Sequence, residues 1–177
     1  MSLLAAWATF YVIIGSSAGT LTGLMFVVST LLAGTQRPAS RWSLGTFSTP
    51  TVAHFGVVLL VAALLSAPWP ALTHVAILLG LVGLGGVLYI AIVVRRLRRR
   101  DVYEPIVEDW VWYAFAPLVA YATLIVAAIL LPGNPSLALF AIGAVLVALL
   151  FVGIRNAWDL ATFIAVELLQ PPNEGET

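Results

Sequence analysis

The chain has 177 residues, of which 62% are hydrophobic and 9% charged, with 8 basic and 8 acidic residues, no cysteine and a mean hydropathy of +1.06. Soluble domains are about 45–50% apolar and about 25% charged, so this composition excludes a water-soluble globular protein, a disordered tail, a disulfide scaffold and a nucleic-acid binder with a basic field. What it leaves is an integral membrane protein, and the absent cysteine also removes thiolate metal sites and thiol catalysis.

A membrane-spanning helix takes about 20 apolar residues. The charge-free stretch Met1 to Gln36 has room for one span, and Trp42 to Val94 and Trp110 to Ile154 have room for two each. The expectation is an all-α integral membrane protein, with five transmembrane helices forming a single transmembrane domain over residues 1–177. A β-barrel would alternate apolar and polar residues, whereas Val57 to Leu65 and Ala144 to Val152 are continuously apolar.

Helix one is predicted from about Trp7 to Ala33. The residues before it, Met1 to Ala6, lack the positive n-region of a signal peptide, so the segment reads as retained. Gly15, Gly19 and Gly23 recur at every fourth position, a glycine-zipper pattern that stacks on one face with Ser16, Thr20 and Thr22 beside it. Small residues let backbones approach and hydroxyls bond across the contact, so this face reads as a helix–helix seam within one subunit or between copies. Were helix one to border a cavity, the same residues would line a pore or substrate path. Val12-Ile13-Ile14-Gly15 and the small residues after it resemble the first helix of the large-conductance mechanosensitive channel family over about ten residues. That family has its N-terminus inside and a pair of helices per subunit, unlike the topology read here, so neither its fold nor its activity is carried over.

A polar loop with Gly34, Arg37, Pro38 and Arg41 leads to helix two, from about Pro50 to Ser66, which carries His54. The prolines of Ser66-Ala67-Pro68-Trp69-Pro70 end it. Helix three, about Ala71 to Val94, carries His74 near its start and Gly80, Gly83, Gly85 and Gly86 in its middle, which predict a close crossing or a bend. It runs into the arginines of Arg95 to Arg100, a stop-transfer signal that also attracts anionic lipid. The two histidines enter from opposite ends, roughly 20–25 Å apart along the normal, too far to ligate one haem. His54 reads as a packed histidine within reach of Asp159 or Asp109.

Helix four is predicted from Asp109, as N-cap, to Leu131, with a kink at Pro117 whose freed carbonyls Tyr113, Tyr121 and Thr123 are placed to satisfy. Pro132 to Ser136 form a turn. Helix five runs from about Leu137 to Leu169 and carries Arg155, Asn156, Asp159 and Thr162 on one arc, followed by a mobile polar tail, 170–177. Because Arg precedes Asp, the poorer order for an i,i+4 pair, the reading places partners on another helix.

In this arrangement all 8 basic and all 8 acidic residues fall on one side of the membrane. The positive-inside bias makes that side cytoplasmic, with the N-terminus outside and the C-terminus inside a bacterial cytoplasmic membrane. Trp7 and Trp69 fall at the outer boundary, and Trp42, Trp110, Trp112 and Trp158 near the inner one, as an aromatic belt requires. No catalytic, cofactor or metal residues are predicted. The expected function is a non-enzymatic accessory, scaffold or regulatory module, a homo-oligomer or a subunit of a membrane complex. It would assemble through Gly15, Ser16, Gly19, Thr20, Thr22 and Gly23. The second expectation is a homo-oligomeric channel or small transporter, with His54, Arg155, Asn156 and Asp159 forming a polar gate at the inner face.

Overall fold

The computed structural model describes residues 3–33, 49–98 and 110–169. Among these the chain is helical, with turns and no strand. A single helical turn, Leu3–Ala6, precedes α1 (Ala8–Ala33). α2 (Thr49–Ser66) opens on Pro50, whose missing N–H has no intrahelical partner in a first turn. It ends where Pro68 and Pro70 remove the next donors. The freed Leu64 carbonyl takes the Ala67 N–H at 3.3 Å and the Trp69 indole N–H. α3 (Leu72–Arg98) runs past the expected end at Val94, because arginine is a good helix former and charge ends the membrane span without ending the helix. α5 (Pro135–Leu169) is capped by Asn134, whose side-chain oxygen accepts from the Leu137 N–H at 3.4 Å and whose carbonyl accepts from the Ala138 N–H. Pro135 is thus the first residue of the helix, two positions before the expected start.

α4 (Val111–Leu130) departs most from the expectation. Its first turn, Val111–Phe115, is π-helical, with the Ala116 N–H bonded to the Val111 carbonyl, and α-helix follows from Ala116. Pro117 cannot donate to the Tyr113 carbonyl and its ring crowds that oxygen, so the ladder is widened one turn ahead of it. Contrary to the expectation from the sequence, Tyr121 does not satisfy a freed carbonyl; its hydroxyl is spent on His54 of another helix. The predicted Asp109 cap, the Gly34 to Arg41 loop, the acids from Asp101 to Glu108 and the tail 170–177 lie outside the described residues.

Five of these helices are long and apolar enough to cross a membrane: Ala8–Thr30, Thr49–Ser66, Leu72–Arg95, Val111–Leu130 and Pro135–Thr162. Phe26, Phe115, Ile129, Phe140, Phe151 and Trp158 stand exposed around them, an apolar exterior consistent with a multi-pass membrane protein. Neighbours in space run in the order α3, α4, α5, α2, α1, with α3 touching α2 lightly and α1 packed mainly on α2. Gly80 faces Ala128, Gly83 faces Ile125 and Gly86 faces Tyr121, an antiparallel register for α3 and α4. Phe55 faces Gly153 across α2 and α5. Lipid tails are as apolar as leucine, so this association rests on close van der Waals packing, which glycine seats make possible. Leu65, Leu124, Leu139, Ile142, Leu146 and Leu149 fill the rest of the core at 2% exposure or less.

Arg95, Arg155 and Asp159 lie at the end of the bundle shared by the start of α2 and of α4. This is the arginine end of the bundle.

Candidate functional site

Tyrosines apart, the polar side chains withdrawn from the surface among the described residues are Thr51, His54 and Asn156, each at 0% exposure. All three belong to the arginine-end half of the bundle. His54 sits about 8 Å along α2 from Thr49, at 1.5 Å per residue. Its Nδ1 meets the Tyr121 hydroxyl at 2.9 Å, with the ring centroids 5.8 Å apart. Tyr121 reaches it because its ring lies on Gly86 of α3, where a Cβ would stand 2.2 Å from the tyrosine Cδ1. One hydrogen bond therefore ties α2 to α4 through a ring seated on α3.

The opposite side of His54 is open-ended chemically. His54 Nε2, Asn156 Nδ2 and Asn156 Oδ1 are buried without a hydrogen-bond partner among the described residues. Arg155 and Asp159 are bonded to each other along α5, so the pair forms within the helix in spite of its order. His54 meets Tyr121, not Asp159. His74 is exposed in the first turn of α3, at the other end of the bundle. Among the described residues no group of three or more His, Asp or Glu is placed to hold a metal ion.

The glycine face of α1 divides. Gly15 lies against Ala62 of α2, where an added Cβ would be 3.1 Å from the alanine methyl. Among the described residues nothing stands within 4 Å of a Cβ placed at Gly19 or Gly23. Ser16 and Thr20 are exposed and Thr22 is half-buried. Thr20 donates to the Ser16 carbonyl at 2.9 Å and Thr22 to the Ala18 carbonyl at 2.8 Å, so these hydroxyls bond back to their own helix. Over residues 8–30 of α1, those buried within the chain are Tyr11, Ile14, Gly15, Ala18 and Met25, a stripe rotated away from Gly19 and Gly23.

Sequence reasoning missed Tyr121 as the partner of His54 and missed Gly86 as its seat. A tyrosine in the middle of an apolar span, opposite a glycine on the next antiparallel helix, is the signal that was available. No protein-family model matches the chain, and comparison with curated proteins and with solved structures finds no match.

Proposed function

We propose that the protein is a non-enzymatic multi-pass membrane module, an accessory, scaffold or regulatory subunit that assembles through the small-residue face of α1. The observation that carries this reading is the empty space at Gly19 and Gly23. Glycine inside a helix costs about 1 kcal/mol relative to alanine. Gly83, Gly86 and Gly153 offset it with a neighbour that needs the room. At Gly19 and Gly23, as at Gly56 and Gly85, no described residue fills that room; the regular spacing on α1 is what suits a second copy, which supplies a face of the same shape. The arginine end is the cytoplasmic side of a bacterial cytoplasmic membrane in this reading, with the N-terminus outside, the C-terminus inside and the Arg95 to Arg100 run against anionic lipid.

The test is the assembly state of the protein in lipid nanodiscs, by native mass spectrometry. Dimers or larger assemblies that fall apart in Gly19→Leu and Gly23→Leu support the reading; a monomer that captures no membrane protein, or an assembly indifferent to both substitutions, ends it. Reporter fusions at positions 69, 102 and 134 test the orientation, and an outward-facing position 102 reverses it.

A homo-oligomeric channel or small transporter is the second reading, favoured by Ser16 and Thr20, which are exposed on the same face. In a ring with α1 toward the axis they line the path, and His54, Arg155, Asn156 and Asp159 belong to its arginine-end gate. Liposome flux of ions or small solutes, altered by Gly19→Leu and Asp159→Asn, distinguishes it from the first.

A further inference from the structure

We infer that the seam between α2 and α5 at His54 and Asn156 is a binding site for a small neutral hydrogen-bonding molecule, of which water is the smallest member. The three polar atoms His54 Nε2, Asn156 Nδ2 and Asn156 Oδ1 are buried and unpartnered on two helices that pack against each other. In a hydrocarbon surround such atoms find a partner or are replaced by apolar groups. A leucine at 156 would satisfy α5 at no such cost.

The two side chains meet in depth. Helical side chains lean toward the N-terminus of their own helix. α2 and α5 are antiparallel with the Phe55 ring against Gly153, so His54 leans toward the arginine end and Asn156 leans away from it. Both tips come to the level of the Phe55 ring. Together they offer three hydrogen-bonding atoms, the number a buried water typically uses.

Charge sets the ligand class. The formal charges nearest on α5, Arg155 and Asp159, are bonded to each other, and α4 contributes the neutral Tyr121 hydroxyl. Among the described residues an ion here would lack a free counter-charge in a low-dielectric site. Asn156 brings both donors and an acceptor. His54 Nε2 is a donor when Tyr121 donates to Nδ1, and an acceptor when Nδ1–H donates to Tyr121. A neutral molecule carrying both a donor and an acceptor suits either tautomer: water, or a small amide or alcohol. This site does not rest on assembly through the α1 face, although the channel reading would use the same two side chains at its gate.

The experiment uses the full chain, labelled with 15N at histidine and asparagine, in vesicles of deuterated phosphatidylcholine. Water-edited solid-state NMR is recorded with and without acetamide. Magnetisation transfer from water to the Asn156 side-chain amide, with the His54 Nε2 resonance at a hydrogen-bonded shift, is the expected result. Saturable shifts of both on adding acetamide identify a site for small amides; no response to acetamide assigns the site to water. Absence of both water transfer and any acetamide shift overturns the proposal. In Asn156→Leu the His54 Nε2 shift should move to that of an unbonded nitrogen. Should that variant fail to fold, His54→Gln serves, with the Asn156 amide retaining its water contact; a dry Asn156 amide in folded His54→Gln counts against the site.

Discussion

In α3, Gly83 and Gly86 are filled: a Cβ at the first would stand 2.7 Å from Ile125 Cγ1, and one at the second would enter the Tyr121 ring. In α1, Gly19 and Gly23 face no atom of the described residues within 4 Å of that position. The residue type is the same and the spacing is more regular in α1, yet the irregular set is the one that builds the bundle. The difference lies on the facing helix. Gly86 opposes Tyr121 and Gly153 opposes Phe55, large side chains for which absence of a Cβ makes space. Gly15, the one α1 glycine of the stripe that meets a neighbour, opposes only Ala62. A glycine is an intrachain seat when the opposite helix offers a bulky side chain, aromatic or branched, to put in it, and a repeat of glycines alone does not say so.

The comparison breaks most visibly at Gly86. Gly86→Val should force the Tyr121 ring off α3 and its hydroxyl off His54, costing about 1–3 kcal/mol from overpacking and a comparable amount for a stranded buried nitrogen. Thermal unfolding in micelles, followed by tryptophan fluorescence, should register this as a large drop in Tm, while Gly19→Val leaves the monomer close to the parent. Equal losses at the two positions would dissolve the contrast. Gly153→Ala is a milder version, because the added methyl would stand 2.4 Å from Phe55 Cε1 and the ring has to turn or shift. A loss toward the lower end of about 1–3 kcal/mol is expected in the same assay.

Tyr121→Phe isolates the hydroxyl. The phenylalanine ring keeps its place on Gly86 and only the bond to His54 Nδ1 is removed. Interhelical hydrogen bonds in membranes average near 0.6 kcal/mol, and an unpaired buried group costs about 1–3 kcal/mol. The expected loss is about 1 kcal/mol, below that of Gly86→Val. A loss as large as that of Gly86→Val would mean that the bond, not the ring in its seat, fixes α3 to α4.

Helix number and most boundaries were legible because they depend on single-residue chemistry read along the chain: apolar run length, the Pro68 and Pro70 break, and the arginines after Val94. The Leu72–Arg98 helix outran its span because hydropathy marks where lipid ends, and backbone hydrogen bonding does not stop there. The His54 to Tyr121 bond was not legible. It joins residues 67 positions apart on helices that are not sequence neighbours, and nothing in either span gives their relative rotation. Pro117 announced a disturbance in α4, but whether a helix answers proline with a kink or a π-helical turn depends on what packs around it. The candidate cluster was legible by residue type and misread by pairing: Arg155 and Asp159 took each other, and His54 took Tyr121.

The smallest effect separates the two regions by sign. Alanine adds one methyl and a better helix propensity, which on an unobstructed helix face favours the folded state by about 0.4–1 kcal/mol. Gly19→Ala meets open space, so in dilute micelles, where any assembly through α1 is dissociated, its Tm should equal or slightly exceed the parent's. Gly86→Ala makes the identical chemical change against the Tyr121 ring, and the overlap outweighs the propensity gain, so its Tm should fall. Repeating the pair at high protein-to-detergent ratio adds the remaining information. If a neighbouring chain sits on Gly19, the methyl that was neutral in dilution becomes destabilising under association, while the Gly86→Ala difference stays constant. A Gly19→Ala variant that loses stability even when dilute would mean that α1 leans on its own chain through that face, and the open stripe would then belong to the bundle after all.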